Sequence, residues 1–371
     1  MKVNKFLYVL ILLFVLVNQA CGNGDATLTP SPMTETPGAA LTPISLEVGF
    51  GYRGSWFELF FTDPTNPLAS QITGGVDGPL TEAIDAARLS VDVAAYSLSL
   101  NSVRNALLRA HDRGVEVRMV MESDNLGDYD PQLLKDAGVP IIGDRREGLM
   151  HNKFVIIDRA EVWTGSMNFT DSSEYSGNNN LIRIHSKKVV EDYIKEFEEM
   201  FLDDKFGPDV LPATPNPRVE IEGTSLEIYF SPDDGAASSL LSLLDNAQKS
   251  IYFLAYSFTS NDLGDVIRTK AEGGLDVAGV MDEEQVNSNI GTEYDAFRQA
   301  GLDVRLDGNK DLMHHKVIII DGKIVVTGSY NFTASAETKN DENLIVIHNA
   351  QIAEKFMEEF ERVQSQAQPL K

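Results

Sequence analysis

Apolar positions along this 371-residue chain follow two alternating rhythms, and the whole pattern comes round twice. Val76 to Arg88 and Val103 to Arg113 carry apolar residues at helical spacing. Between and after them, Ser90 to Tyr96 and Val115 to Met121 are short apolar runs that read as buried strands. Lys153 to His185 reads as strand, hairpin and strand, and a helix from about Val189 to Phe201 follows. The second part repeats this order and ends in a helix around Ala350 to Gln364. Strands alternating with helices predict an α/β fold in which a sheet is covered by helices.

The repetition is literal. Met150-His151-Asn152-Lys153 opens a segment that runs to Asp158, followed by Thr164-Gly165-Ser166-Met167-Asn168-Phe169-Thr170. Met313-His314-His315-Lys316 opens a segment that runs to Asp321, followed by Thr327-Gly328-Ser329-Tyr330-Asn331-Phe332-Thr333. Matched residues lie 163 positions apart without a gap, and the register continues to His185 and His348. Upstream, Ser90-Val91-Asp92-Val93-Ala94-Ala95-Tyr96-Ser97 parallels Ser250-Ile251-Tyr252-Phe253-Leu254-Ala255-Tyr256-Ser257. Pro208, Pro212, Pro215 and Pro217 mark a linker between the copies. The expected organisation is a first repeat over residues 46–207, a linker over 208–217 and a second repeat over 218–371.

The start of the chain has a different pattern. Lys2 and Lys5 precede an apolar run from Phe6 to Val17, too short for a comfortable membrane span and suited to a signal peptide over residues 1–20. Asn18, Gln19 and Ala20 lead to Cys21, which resembles a bacterial lipoprotein signal in which that cysteine is lipidated. An ordinary secretory signal is the alternative. Residues 21–45 are rich in Thr, Pro, Gly and Ala and read as a flexible stalk. The expected location is therefore exported: a cell-surface or membrane-anchored lipoprotein, or otherwise a secreted protein. Cys21 is the only cysteine, so an internal disulfide and a cysteine metal site are both excluded. The formal net charge of −25 opposes loose association with polyanions and disfavours a nucleic-acid substrate.

On a strand, His151 and Lys153 share a face, as do His314 and Lys316. A lysine is a fixed positive charge for phosphoryl oxygens, and a histidine beside it can be nucleophile or general acid. Ser166 and Asn168, like Ser329 and Asn331, can hydrogen-bond the same oxygens. Asp158 and Asp321 have the wrong parity to join them, so they organise the turn or pair with a buried donor. His315 points to the opposite face and reads as structural, as do His185 and His348. The aromatic stretch Tyr52, Trp56, Phe57, Phe60 and Phe61 reads as core, with a lipid-facing entrance as the alternative. Nothing offers a metal cage, and a lysine in the pocket opposes a divalent cation.

With its paired His-x-Lys-x4-Asp segments, each followed by Gly-Ser-x-Asn, the chain resembles the phospholipase D superfamily from about Leu46 onward. The resemblance implies two similar halves, each a mixed β-sheet flanked by helices, packed about a pseudo-twofold axis around one shared site. A single chain then completes the site as a monomer. It implies a metal-independent and cofactor-free phosphodiesterase. One histidine attacks phosphorus to form a phosphohistidine. The other protonates the leaving alcohol and then activates water. On this basis His151 is expected to be the nucleophile and His314 the acid/base. Lys153, Lys316, Asn168 and Asn331 hold the phosphate, with Ser166 and Ser329 assisting. Family members often carry an acidic residue that orients the histidine. Glu342 stands there in the second half and is expected on His314, whereas the first half has Asn179, with Asp171 or Glu174 as possible substitutes. The expected substrate is a phospholipid headgroup ester at a membrane surface. An extracytoplasmic endonuclease cutting DNA or RNA and a non-catalytic surface binding protein are the alternatives.

Overall fold

A computed structural model of the chain describes residues 40–370. The leader over residues 1–20 and Cys21 lie outside the described residues.

The first half holds strands β1 (Thr42–Ser45), β2 (Phe50–Arg53), β3 (Phe57–Phe61), β4 (Ser90–Ala95), β5 (Glu116–Met121), β6 (Ile141–Gly143), β7 (Lys153–Ile157), β8 (Glu161–Gly165) and β9 (Asn180–Ile184). Its helices are α1 (Asp77–Ala86), α2 (Asn101–Asp112), α3 (Tyr129–Asp136), α4 (Asp171–Tyr175) and α5 (Lys187–Phe201). The second half holds β10 (Arg218–Ile221), β11 (Thr224–Ser231), β12 (Ser250–Ala255), β13 (Asp276–Met281), β14 (Asp303–Leu306), β15 (Lys316–Ile320), β16 (Ile324–Gly328) and β17 (Glu342–His348). Its helices are α6 (Ala236–Asp245), α7 (Asn261–Glu272), α8 (Glu283–Ser288), α9 (Tyr294–Gln299), α10 (Ala334–Thr338) and α11 (Ala350–Gln366).

The strands form a nine-stranded sheet, β1-β2-β3-β9-β8-β7-β4-β5-β6, and an eight-stranded sheet, β10-β11-β17-β16-β15-β12-β13-β14. Both are mixed: β4, β5 and β6 run parallel, as do β12, β13 and β14, while the remaining neighbours are antiparallel. The expected α/β fold of two similar halves is therefore present, with β1 as the first half's extra edge strand. Each sheet buries one face under its own helices. Leu80, Val103 and Leu107 cover Val91 and Val93 in the first half, and Leu240, Leu263 and Ile267 cover Ile251 and Phe253 in the second. The opposite faces share one apolar layer that contains Phe154, Ile156, Val317 and Ile319, together with Tyr193 and Phe197 of α5 and Phe356 and Phe360 of α11. A strand buried on both faces needs a continuous apolar run, which is why Phe154–Ile157 and Val317–Ile320 show no alternation.

Two local readings change. The stretch 21–45 is not all stalk: Thr42–Ser45 pair antiparallel with Phe50–Arg53, and Ile44 packs on the core. Sheet pairing and the apolar anchors Leu41 and Ile44 outweigh a Thr/Pro composition. The run from Lys153 to His185 also contains a helix. Thr170 accepts the Ser173 N–H and caps α4, and Thr333 accepts the Ala336 N–H and caps α10. The Thr that closes each Gly-Ser-x-Asn-Phe-Thr segment is thus a helix cap.

Candidate active site

The site is built at the seam between the halves. The contacts across it are reciprocal: Met150 bridges to Asp341, and Met313 bridges to Asn178, which are the same two positions exchanged between copies. The His151 N–H donates to the Asp341 carbonyl at 2.9 Å, and the His314 N–H to the Asn178 carbonyl at 3.0 Å. Carboxylates at the ends of β5 and β13 hold the preceding residues. Glu122 accepts the Met150 N–H at 2.9 Å, and Asp282 accepts the Met313 N–H at 3.0 Å. Each histidine is therefore fixed by its own half on one side and by the opposite half on the other.

The side chains cross the seam as well. His151 Nδ1 lies 2.7 Å from Glu342 Oε2, and His314 Nδ1 lies 3.0 Å from Asn179 Oδ1. The expected Glu342–His314 pairing is therefore corrected: Glu342 serves His151. Each copy's orienting residue reaches the other copy's imidazole, because β9 and β17 run into the seam from opposite sides. The Asn179 amide is oriented by its Nδ2, which donates to the Ser173 carbonyl at 2.9 Å, so its oxygen faces His314. Carboxylate and amide oxygens only accept, so each Nδ1 carries a proton, and each Nε2 is left to hold either a lone pair or a second proton.

Ser166 and Ser329 have a different task from the one expected. The Ser166 hydroxyl donates to Asn179 Oδ1 at 2.9 Å, and the Ser329 hydroxyl to Glu342 Oε2 at 2.7 Å. Both are fully buried, and a hydroxyl has one proton to give. In this arrangement the one proton of each is spent on positioning a histidine partner. The glycine before each serine makes this possible: a Cβ on Gly165 or Gly328 would stand 2.3 Å from the carbonyl oxygen of Asn180 or Asn343. Asn168 and Asn331 lie two residues beyond the serines and are half-buried. Their amide oxygens are buried and have no hydrogen-bond partner among the described residues.

Lys153 and Lys316 are buried, and each donates to the carbonyl of the histidine two residues before it, at 2.7 and 2.8 Å. The Lys153 ammonium lies 5.3 Å from the Tyr96 ring centre, and that of Lys316 lies 4.6 Å from Tyr256. The same rings meet the imidazoles edge-on, Tyr96 on His151 and Tyr256 on His314. Burial dominates the electrostatics. It pushes Lys153 down to about 7, against the pull of Glu342. It holds Lys316 well below the usual ammonium range, and Lys153 adds to the effect. Both imidazoles sit well below the usual histidine range through burial and the two lysines. Burial also lifts Glu342 to about 7, opposed by Lys153. An arriving phosphate anion would reverse these shifts and draw protons onto the lysines.

Asp158 and Asp321 take up positive φ angles of 54° and 55° in the hairpins after β7 and β15. Asp158 accepts the N–H groups of Arg88, Leu89 and Ser90, and Asp321 those of Gln248, Lys249 and Ser250. They tie each hairpin to the start of the neighbouring strand and touch no histidine. Glu174 does not stand in for an acid at His314: it accepts the Val76 N–H at the start of α1, as Glu337 does for Ala237 at α6. Asp171 contacts neither imidazole and lies in the field of Asp130 and Asp77. His315 is buried between Asn180 Nδ2 at 3.0 Å and Glu359 at 2.8 Å. His348 pairs with Glu227, and His185 sits 3.5 Å from Glu161, both away from the seam. Trp56, Phe57, Phe60 and Phe61 are buried, so they form core rather than a lipid-facing entrance.

Glu122, Asp282, Tyr96 and Tyr256 were not singled out from the sequence. The two tyrosines stand at matched places in the repeat, and that duplication of a polar residue was the available signal.

A family model described as cardiolipin synthase, PLD-like domain matches the chain twice, over residues 80–201 and 240–364. A mitochondrial cardiolipin hydrolase of Chlamydomonas reinhardtii is 32% identical over 134 residues, which is 36% of this chain and 60% of that protein. A phospholipase D of Rickettsia typhi is 32% identical over 139 residues, which is 38% of this chain and 68% of that protein. The crystal structure of phosphatidylserine synthase from Haemophilus influenzae Rd KW20 overlays with a TM-score of 0.63 at 14% identity, covering 80% of this chain and 86% of that one. That last likeness is one of fold.

Proposed function

The chain belongs to the phospholipase D-like family, and from that premise we propose that it is a metal-independent phosphodiesterase working through a phosphohistidine, with phospholipid headgroup esters as substrate. The observation that carries this reading is the crossed pair of imidazoles, each with Nδ1 held from the opposite half and with a lysine beside it. The two ammonium groups favour a phosphate anion and oppose a divalent cation.

In the first step His151 Nε2 attacks phosphorus, the bond to the leaving alkoxide breaks, and His314 supplies the proton to that oxygen. In the second step His314 takes a proton from water, the water oxygen attacks phosphorus, and the phosphorus–nitrogen bond breaks. The two partners suit these roles. The nucleophile gains positive charge as it reacts, and the Glu342 carboxylate stabilises that charge more in the transition state than at the start. The acid loses positive charge, and a neutral amide such as Asn179 leaves it the stronger acid. Lipid is favoured over nucleic acid by the net charge of −25 and by the carboxylates flanking the site, where Glu122 and Asp124 push Tyr96 up after burial, and Asp282 and Glu284 do the same to Tyr256. Export, with Cys21 as a lipid anchor, belongs to the same proposal, as does a monomer with the repeats at 46–207 and 218–371.

The test is a paired assay in EDTA. One arm offers mixed phospholipid vesicles and measures phosphatidic acid. The other offers single- and double-stranded DNA and RNA and measures cleavage. Phosphatidic acid that disappears in His151→Ala is the expected result. Cleaved nucleic acid with intact lipid would replace the substrate assignment, and turnover restored only by a divalent ion would overturn the metal-free mechanism.

A further inference from the structure

We infer that Arg146 is a positioning residue for this reaction, holding Glu342 against His151 through its ion pair with Asp341. The inference rests on the phosphodiesterase reading above and concerns the loop between β6 and β7, which the repeated motif does not include.

Asp341 is the centre of the clasp. Its N–H donates to the Leu149 carbonyl at 2.8 Å, and its carbonyl accepts the His151 N–H at 2.9 Å. The next residue along, Glu342, holds the imidazole of the same histidine. Two consecutive residues of the second half therefore fix the main chain and the ring of His151. Arg146 locks this pair from the first half. One guanidinium nitrogen pairs with the Asp341 carboxylate, and another donates to the Lys339 carbonyl. The second Asp341 oxygen accepts the Gly207 N–H at 2.6 Å, which ties in the last residue before the linker. The clasp is crowded: a Cβ on Gly207 would stand 2.4 Å from Arg146 Nη1, and Gly207 has a φ of +68°.

The other copy supplies the independent argument. Position 309 corresponds to 146, and 178 to 341. There Asn309 Nδ2 donates to Asn178 Oδ1 at 2.9 Å and to the carbonyls of Ser176 at 2.9 Å and Leu312 at 3.2 Å. The Asn178 N–H donates to Leu312, and its carbonyl accepts the His314 N–H. Unrelated side chains close the same loop onto the same strand approach in both halves. The geometry is therefore kept although the chemistry has changed, which marks the position as one that sets the histidine.

The experiment uses the full chain with bis(p-nitrophenyl) phosphate as probe. It measures kcat, KM and the pH profile of kcat/KM for Arg146→Gln, Arg146→Lys, Glu342→Gln and the Arg146→Gln/Glu342→Gln double variant, with melting temperatures alongside. Arg146→Gln should lower kcat about tenfold or more with little change in KM. It should also move the acid limb of the profile to lower pH, because a histidine that loses its carboxylate becomes less basic. Arg146→Lys should recover part of the loss. In the Glu342→Gln background the same change should cost less than about twofold, since Arg146 acts through that carboxylate. An unmoved acid limb, or the same cost in both backgrounds, would reduce Arg146 to a structural role and overturn the inference while the functional reading stands. Turnover that survives His151→Ala in the otherwise native chain would remove the functional reading, and this inference with it.

Discussion

The two seats that hold the imidazoles match in shape and differ in charge. Around His151 stand Glu342, Asp341 and Arg146; at the corresponding places around His314 stand Asn179, Asn178 and Asn309. The backbone contacts are the same in both, and the Ser hydroxyl that supports each partner is the same. A duplicated scaffold that serves a symmetric role has no reason to diverge in this way. A reaction in which one imidazole gains charge while the other loses it does, because the best partner for each is then different. On the proposed mechanism, the charge difference is the structural counterpart of a division of labour.

The largest expected effect separates the two histidines outright. With an alkyl phosphodiester, His151→Ala and His314→Ala should each cost roughly ten thousandfold in kcat/KM. With a p-nitrophenyl ester the leaving group departs without a proton, so the first step no longer needs His314. His314→Ala should then release about one equivalent of nitrophenol in a burst and stall as the phosphohistidine. His151→Ala should release none. A burst from His151→Ala instead would exchange the two roles, and equal behaviour on both esters would erase the distinction between the seats.

How much of this could be read from the chain depends on distance along it. The ungapped 163-residue register exposed His151, Lys153, His314 and Lys316, and the apolar runs after them announced buried strands. Asp158 and Asp321 were legible as turn organisers because strand parity is a local property. The partner of Glu342 was not legible. Of the two motif histidines His314 is the nearer in sequence, and only the exchange across the seam carries Glu342 to His151. Ser166 and Ser329 failed for a related reason: a hydroxyl suits a phosphate equally well on paper, and only the neighbouring strand shows where its proton goes. Helix α4 was hidden by a polar run, Thr170 to Glu174, whose first residue is a cap. Arg146 could not be found by matching the copies, because its counterpart is Asn309.

A smaller effect should follow from making the seats alike by adding charge. Asn179→Asp puts a carboxylate on His314 and favours its protonated form. As a general acid His314 must begin protonated, so the basic limb of kcat/KM should move to higher pH. The same change makes it a weaker acid, and kcat on an alkyl ester should fall about tenfold. The new carboxylate would also face the Ser173 carbonyl that the amide now satisfies, so a loss of melting temperature should accompany it. If the basic limb stays in place, the partner of His314 does not tune it, and the argument from charge would hold for His151 alone.

The most direct effect on stability comes from taking the charge away. Glu342 is fully buried and titrates near 7, well above the ordinary value of 4.5, through burial and against the pull of Lys153. A carboxyl whose folded pKa is raised contributes stability that is fully present below 4.5 and is lost as pH climbs to about 7, since the unfolded chain ionises first. The groups facing it, His151, Lys153 and Lys316, all have lowered values and pull in the opposite direction, so the melting curve of the native protein alone would not isolate it. The difference between Glu342→Gln and the native chain would. Glutamine keeps an oxygen for the His151 Nδ1–H and for the Ser329 hydroxyl but does not titrate. The melting temperature of the variant relative to the native protein should therefore rise with pH across that window and level off above about 7, a change of a few degrees for a chain of this size. With Asn179 already neutral, the variant makes the side-chain partners of the two imidazoles electrically alike. A difference that is flat with pH would mean that Glu342 ionises in the fold as easily as in the open chain, and that the asymmetry of the seam is one of shape rather than charge.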